Sequence, residues 1–474
     1  MNNLWTAAQI NKLFSCALSP EWSAKGVSID SRSLVPGQIY VALKGAKLDG
    51  HDFVSAAVAA GASAVIVEKS MDVAVPQILV ENALDALRLL AQSARSVTES
   101  KVAGITGSVG KTSTKEALLF ILQDQAATYA TPRSFNNHWG LPLSVANMPG
   151  DAAYSIIEMG MNHRGEIAGH TQLARPHVAY ITNIEAVHLG NLGSIQAIAE
   201  AKSEIFEGLV PGGICILNSD SQQLDVLEAA ARKANPAEIW FVGTTAKANV
   251  RLYESEVFSD HQIVHADIAG VKLTYRLNVM GPHWVLNSLG ILAVVKALGA
   301  DVELAAAKLQ DFQAIAGRGQ THLVDLTHHQ QIMVIDDSYN AGPVSMKAAI
   351  HVLGQSKLTP QSRRIAVLGD MYEIGPQEVE EHVKLAEILV QQNIHCVYTS
   401  GALMKNLYDA LPDSMRGRHE DDPKKLADLL LKEVQAGDIY MVKGSRGGYQ
   451  EKGRMYAVVE ALLQMQNGKK ERAV

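Results

Sequence analysis

The sequence predicts an α/β protein of three domains, and three observations carry that prediction. Its 474 residues exceed one ordinary domain and accommodate three of about 150 each. Short apolar runs alternate with helical spacing along most of the chain, the pattern of parallel sheets covered by helices. Hydrophobic residues make up 47% and charged residues 19%, which suits packed cores and excludes a disordered chain. The expected units are 1–81, a small N-terminal α/β domain; 82–311, a central domain with a mostly parallel sheet; and 312–474, a C-terminal α/β domain.

In the first unit Ile39–Leu43 and Ala64–Val67 read as buried strands, with a small-residue helix over Ala56–Ala60 between them. Asn82 is placed to cap a helix in which Leu84, Leu87, Leu90 and Ala91 keep helical spacing. The second unit offers strands at Val102–Thr106, Ile156–Met159, Val178–Thr182 and Ile214–Leu217. Residues 249–280 then turn β-rich, with Gly270 as a hairpin signal, ahead of a helix over His283–Leu298. The third unit begins near Phe312, with strands at Ile332–Ile335, Ile365–Leu368, Cys396–Thr399 and Ile439–Val442. Each ends in a polar or glycine-containing loop, and ligands gather at such carboxyl ends in open sheets, so this unit is expected to be Rossmann-like.

A formal net charge of −7 excludes non-specific attraction to nucleic acid, so an anionic ligand must be met by local cations. Three scattered cysteines lack metal-ligand spacing and cannot all pair, which suits a reducing cytoplasm. No basic stretch followed by an apolar core opens the chain and no run of 18 apolar residues occurs, so neither secretion nor membrane insertion is expected. The basic tail Gly468–Arg472 is expected to fray.

Thr106-Gly107-Ser108-Val109-Gly110-Lys111-Thr112-Ser113 follows an apolar strand and opens a helix. Glycines there let backbone N–H groups converge on phosphate oxygens, and the helix N-terminus adds positive potential. Lys111 would reach the terminal phosphates and Thr112 would sit on Mg²⁺, making the central unit a P-loop-type ATPase domain. The spacing departs from G-x-x-x-x-G-K-[ST], since Ile105 stands where the first glycine belongs. The alternative is a glycine-rich turn with a surface lysine. Glu158 ends an apolar strand, where a carboxylate needs a cation or solvent; an ordinary salt bridge is the competing reading. Taken alone, His188 reads as a structural histidine and Lys202 as an exposed helix lysine.

Together these segments resemble the Mur ligase family along essentially the whole chain. The phosphate loop, Glu158-Met159-Gly160 with Gly165-Glu166-Ile167, and Ala201-Lys202-Ser203-Glu204-Ile205-Phe206 carry the resemblance in the central unit. It implies a two-Mg²⁺ site on Thr112, Glu158 and His188, with Lys202 as a carbamate and Lys111, Lys202 and His188 as the catalytic set. Asp336-Asp337-Ser338-Tyr339-Asn340-Ala341-Gly342-Pro343, Leu368-Gly369-Asp370-Met371 with Glu373 and Gly375, and Val442-Lys443-Gly444-Ser445-Arg446 are similar to the D-alanyl-D-alanine-adding branch.

By the same resemblance, ATP would be met by residues 106–113, Asn287, Arg318, Asp337, Tyr339 and Asn340. Asp30-Ser31-Arg32, Pro36-Gly37 and Asp49-Gly50-His51 look like a UDP-sugar-binding front domain, and Ser134-Phe135-Asn136-Asn137 with Gly140-Leu141-Pro142 like a muropeptide loop. Ser31, Arg32, Asp49, Gly50, His51, Asn136 and Asn137 are thus the implied substrate contacts. Two departures stand out: Trp284 where the family usually carries Asn, and Gly319-Gln320 behind the Gly317-Arg318 pair. No Asp-Asn-Pro-Arg occurs, which argues against the diamino-acid-adding branch.

The resemblance implies a cytoplasmic, monomeric ligase using ATP and Mg²⁺ to join D-alanyl-D-alanine to a UDP-muramoyl tripeptide through an acyl phosphate. The alternatives are a Mur ligase for another amino acid, a folate-type polyglutamate ligase, or a P-loop ATPase or kinase acting on a small anion. The Asp49–His51 segment weighs against the folate enzyme. No Gly-x-Gly-x-x-Gly opens a helix after a strand, which weighs against a dinucleotide-dependent dehydrogenase. The third peptide residue, meso-diaminopimelate or lysine, stays open.

Overall fold

The computed structural model describes residues 3–186, 189–258, 260–327, 330–446 and 454–465. Three α/β layers follow one another along the chain. The first holds a four-stranded parallel sheet in the order Val27–Ser28, Ile39–Val41, Ala64–Val67, Gln77–Leu79. A short antiparallel pair, Trp5–Thr6 with Ser23–Ala24, lies ahead of it.

Asn82 caps the next helix, Ala83–Val97, as expected: its side chain accepts the Asp85 N–H at 2.9 Å. The helix's Leu87 and Leu90 share one continuous core with Ile39 and Val41 on one side and with Leu141 and Ile157 on the other. Buried Arg95 adds a polar tie, donating to the carbonyls of Ala174 and Arg175 at 2.7 Å each, where the Glu166–Ala174 helix ends. A cation there satisfies carbonyls that the helix leaves unpaired.

The central sheet has nine strands. Lys101–Thr106 lies between Val178–Ile181 and Tyr154–Glu158, and Thr128–Ala130 forms the edge. On the other side Ile214–Asn218 and Glu238–Gly243 continue the parallel run. Val250–Val257, Gln262–Ile268 and Val271–Leu277 then extend it, the last three meeting as antiparallel neighbours, with Gly270 in the hairpin. The helix expected over His283–Leu298 is Pro282–Ala297, with proline in its first turn, where a missing N–H costs nothing.

The C-terminal sheet runs Gln320–Thr327, Gln330–Asp337, Ile439–Lys443, Arg364–Gly369, Cys396–Ser400, Arg416–Glu420. All pairs are parallel except the first, which is a hairpin. All four strands expected here are present, while the two edge strands were not foreseen. Apolar clusters cover both faces, one around Ile350, Leu368 and Leu389, the other around Val334, Val442 and Val459.

An amide clamps the first sheet to the central layer. Asn147 accepts the Val27 N–H at 2.8 Å and donates to the Val27 carbonyl at 3.0 Å. Among the described residues no helix is long and apolar enough to cross a membrane.

Candidate active site

The carboxyl end of Lys101–Thr106 delivers the chain into the loop 107–110, and Lys111 opens the helix Lys111–Leu122. Gly107 is required by close approach: at φ +151° a Cβ would stand 1.9 Å from Thr182 Oγ1. That hydroxyl donates to the Val109 carbonyl at 2.7 Å, and Asn183 Oδ1 accepts the Val109 N–H at 3.0 Å. Ser108 Oγ donates to the Glu185 carbonyl and accepts the Glu185 N–H. The segment after Val178–Ile181 thus fixes the loop's shape before any phosphate arrives. Lys111 folds back onto its own loop, donating to the Gly107 carbonyl at 2.5 Å. Burial pulls its amine down to about 8, with Glu158 opposing the shift and Arg318 adding to it.

Glu158 is 1% exposed at the end of the neighbouring strand. Its Oε1 accepts from Thr112 Oγ1 at 3.1 Å and from Asn136 Nδ2 at 2.6 Å. Its Oε2 is buried with no hydrogen-bond partner among the described residues. An unmet carboxylate oxygen is costly unless a cation is its partner, and the Thr112 hydroxyl beside it is a second hard donor. The donor set fits Mg²⁺. The salt-bridge reading of Glu158 does not hold, because its contacts come from a hydroxyl and an amide.

Lys202 corrects the expectation of an exposed helix lysine. It is 2% exposed near the end of Ile195–Ser203, yet lines the cleft. Burial, and then the positive charge of Lys111, hold its amine well below the usual lysine range. Its ammonium has no ion pair or hydrogen bond among the described residues. His188 lies outside the described residues.

The C-terminal layer closes the other wall. Asp336 accepts the Gly317 N–H at 2.8 Å and the Ser338 hydroxyl at 2.6 Å, fixing the turn that presents Arg318. At Gly317, with φ +76°, a Cβ would press to 2.9 Å on the Tyr339 Cβ. The Arg318 guanidinium lies 4.3 Å from the Tyr339 ring centre, and Arg446 5.5 Å. Lys443 donates to Asp337 Oδ2 at 2.7 Å and to the Asn340 carbonyl at 3.0 Å. Burial pushes the Asp337 carboxyl up, while Lys443 and Arg318 hold it down. The Tyr339 hydroxyl donates to Ser134 Oγ at 3.2 Å, linking this wall to the central layer.

These groups share one cleft of about 2740 Å³ whose lining comes from all three layers. It brings together Ser108 to Ser113, Asn136, Asn137, Glu158, Lys202, Asn287, Arg318, Asp337, Tyr339, Asn340 and, from the first layer, Arg32. Thr106 and Gly107 do not line the cleft; Thr106 donates to the Met159 carbonyl. Asn137 lines the cleft but uses its Oδ1 to accept the Gly140 N–H at the start of Gly140–Ala146. Trp284 packs its indole on Phe312, with ring centres 5.6 Å apart, which accounts for a large aromatic at that position.

Four of the implied substrate contacts, Ser31, Asp49, Gly50 and His51, do not line the cleft. Asp49 accepts the His51 N–H and pairs with His51 Nδ1 at 2.6 Å, while His51 Nε2 accepts the Glu68 N–H. A Cβ at Gly50 would meet the Leu43 backbone at 2.6 Å. The segment fixes a turn in which Asp49 Oδ1 and both ring nitrogens of His51 are paired. Sequence reasoning missed Asn183, Thr131, Lys115, Lys443 and Arg446 as site-forming residues; only Lys443 and Arg446 carried a signal, in the motif ending the Ile439–Lys443 strand.

Comparison with known proteins agrees in every layer. Residues 23–95 match the Mur ligase family, catalytic domain; 105–295 the Mur ligase middle domain; and 317–446 the Mur ligase, glutamate ligase domain. A UDP-N-acetylmuramoyl-tripeptide--D-alanyl-D-alanine ligase of Rickettsia prowazekii is 32% identical over 94% of this chain and 97% of its own. The ligase of the same name from Bacillus subtilis is 34% identical over 89% and 90%. A crystal structure of MurF from Acinetobacter baumannii superposes with a TM-score of 0.82 at 29% identity, covering 96% of this chain and 99% of that one. MurF of Thermotoga maritima, in complex with ADP, superposes at 0.78 with 26% identity, over 94% and 98%. Matched in order through all three layers, and along nearly its whole length, this chain belongs to the Mur ligase family.

Proposed function

We propose that this enzyme joins D-alanyl-D-alanine to UDP-N-acetylmuramoyl-tripeptide at the expense of ATP, releasing ADP and phosphate. The observation that carries the reading is one cleft lined from three layers, with Lys111, Glu158 and Lys202 in its wall. Relatives of that name align over nearly the whole chain, and the ADP complex of a MurF neighbour supports nucleotide use.

The tripeptide carboxylate forms a bond to the γ-phosphorus as the bond to ADP breaks, giving an acyl phosphate. The dipeptide amine then attacks the acyl carbon, phosphate leaves, and the nitrogen loses its proton. Lys111 and Arg318 place cations where phosphoryl charge must be offset, and most of the acceleration is positioning and electrostatics. Thr112 and Glu158 would hold Mg²⁺, which supplies neutralisation of phosphate charge when bound. Lys202 would complete that site as a carbamate, formed by its neutral amine and CO₂ with loss of a proton. Such a change turns a buried neutral amine into an anion with two hard oxygens. Arg32 at the first-layer edge of the cleft is the substrate-handle contact in this reading. The three free cysteines suit a reducing cytoplasm.

The test is ADP formation with one component omitted at a time, with hydroxylamine added when the dipeptide is absent. A hydroxamate of the tripeptide, and ADP release dependent on D-alanyl-D-alanine, are expected. Release indifferent to the dipeptide would leave an ATPase or kinase.

A further inference from the structure

Lys115 is fully buried, with no exposed side-chain surface, on the helix that the phosphate loop opens. It is not part of the cleft wall. Its ammonium donates to two successive points of one loop, the carbonyls of Thr131 at 2.8 Å and Arg133 at 2.5 Å, and pairs with Glu116 at 2.7 Å. Three residues earlier on the same helix, Thr112 donates to Glu158. Residues three apart share a helix face, so one face makes both attachments.

The loop held in this way converges on the reaction centre. Thr131 Oγ1 accepts the Glu158 N–H at 3.0 Å, and Asn136 donates to the Glu158 carboxylate. Ser134 receives the Tyr339 hydroxyl from the opposite wall. Arg133 sits at φ +51°, a left-handed conformation that a non-glycine residue keeps only where neighbours fix it, and its carbonyl is one of the two that Lys115 holds.

We propose that Lys115 is a positioning residue: it fastens loop 131–137 to the phosphate-loop helix and so sets the affinity for the peptide substrate and the divalent cation, not for the nucleotide. The inference rests on the ligase reading above. Without the ammonium, two carbonyls lose a charge-assisted donor, the Arg133 conformation relaxes, and Asn136 and the Glu158 backbone lose their fixed spacing. The phosphate loop itself is braced by Thr182, Asn183 and Glu185, none of which Lys115 reaches.

The experiment compares wild type with Lys115→Met, Lys115→Arg and Thr131→Val. It reads the KM for UDP-muramoyl tripeptide, half-saturation by Mg²⁺, the dissociation constant of ADP at saturating Mg²⁺, and melting temperature. Lys115→Met and Thr131→Val should raise the first two about tenfold, the scale of one lost buried hydrogen bond, and leave ADP affinity within about twofold. Lys115→Arg keeps donors and should recover most of the tripeptide affinity. Should Lys115→Met fail to fold, Lys115→Gln takes its place, because it removes the charge while keeping one polar donor for the two carbonyls, and the same rise is expected. Lower melting temperature with wild-type tripeptide and Mg²⁺ saturation would make Lys115 a plain structural lysine, and a parallel loss of ADP affinity would refute the division of labour. A wild type whose ADP release ignores the dipeptide sinks the ligase reading, and this inference with it; variant behaviour alone bears only on Lys115.

Discussion

Replacing Glu158 by glutamine separates a cation-binding carboxylate from a structural one. The amide keeps an oxygen for Thr112 and Asn136, so the contacts at 3.1 Å and 2.6 Å survive in kind. Two changes in stability then oppose each other. The unpartnered charged oxygen gives way to an amide nitrogen that is unpartnered in its turn, so only the charge's share of the penalty, ~1 kcal/mol, is recovered, while two hydrogen bonds lose their charge, a loss of ~1 kcal/mol each. Without Mg²⁺ the variant should therefore melt within a few degrees of wild type. With cation the two part. At a ligand concentration of 100 times the dissociation constant, binding stabilises a protein by ~2.7 kcal/mol. A variant bound ~100-fold more weakly gains only ~0.4 kcal/mol by the same relation. At ~2–4 °C per kcal/mol for a unit of this size, the melting temperatures should separate by ~5–9 °C. The assay is thermal unfolding at fixed ADP with Mg²⁺ titrated, alongside ADP formation, which should drop ~100-fold or more. Equal protection of both proteins by Mg²⁺ and ADP would refute the assignment, as would a variant that melts far below wild type with no cation present.

Three further outcomes are expected. Lys111→Ala should fold, because its ammonium's partners are carbonyls of its own loop, yet turn over ~10³-fold more slowly; near-normal ligation by the folded variant would remove the phosphate-loop assignment. Lys202→Ala should be inactive, Lys202→Arg should not restore activity, and Lys202→Glu should recover a little, with bicarbonate depletion slowing only the wild type; an active arginine variant would rule out the carbamate. Burial holds His170 down at about 4 from 6.5, so its contribution to stability is whole above pH 6.5 and disappears as pH falls to about 4. That amounts to ~3 kcal/mol at most, and His170→Gln should lose less melting temperature than wild type between pH 7 and pH 5.

What could be read in the sequence follows the range of the forces involved. Strands such as Val102–Thr106 and Ile365–Leu368 announce themselves because burial on both faces demands unbroken apolar runs. The phosphate loop is legible because its glycines answer a local steric demand. Edge strands escaped notice: Arg416–Glu420 reads Arg-Gly-Arg-His-Glu, against every strand preference, and is held by pairing with Cys396–Ser400. Lys202 and Lys115 look like solvated helix lysines because nothing within a turn of either reports how deeply neighbouring layers bury it. Asp49-Gly50-His51 shows the converse. A polar cluster that the sequence offers only as ligand contacts also fixes a turn, with Asp49 and the Glu68 N–H holding the His51 ring, a pairing only three dimensions reveal.

The clamp on Val27 has a consequence for solubility. Val27–Ser28 is the outermost strand of a short parallel sheet, and an open strand edge is a template on which another chain can add. The Asn147 carboxamide occupies both backbone groups of Val27, standing in for the strand that would otherwise extend the sheet. Proteins more often guard such margins with lysines, prolines or bulges; here one side chain from a distant part of the fold does so. Asn147→Leu should therefore leave an adhesive margin, seen as growth in light scattering at concentrations where the wild type stays dispersed.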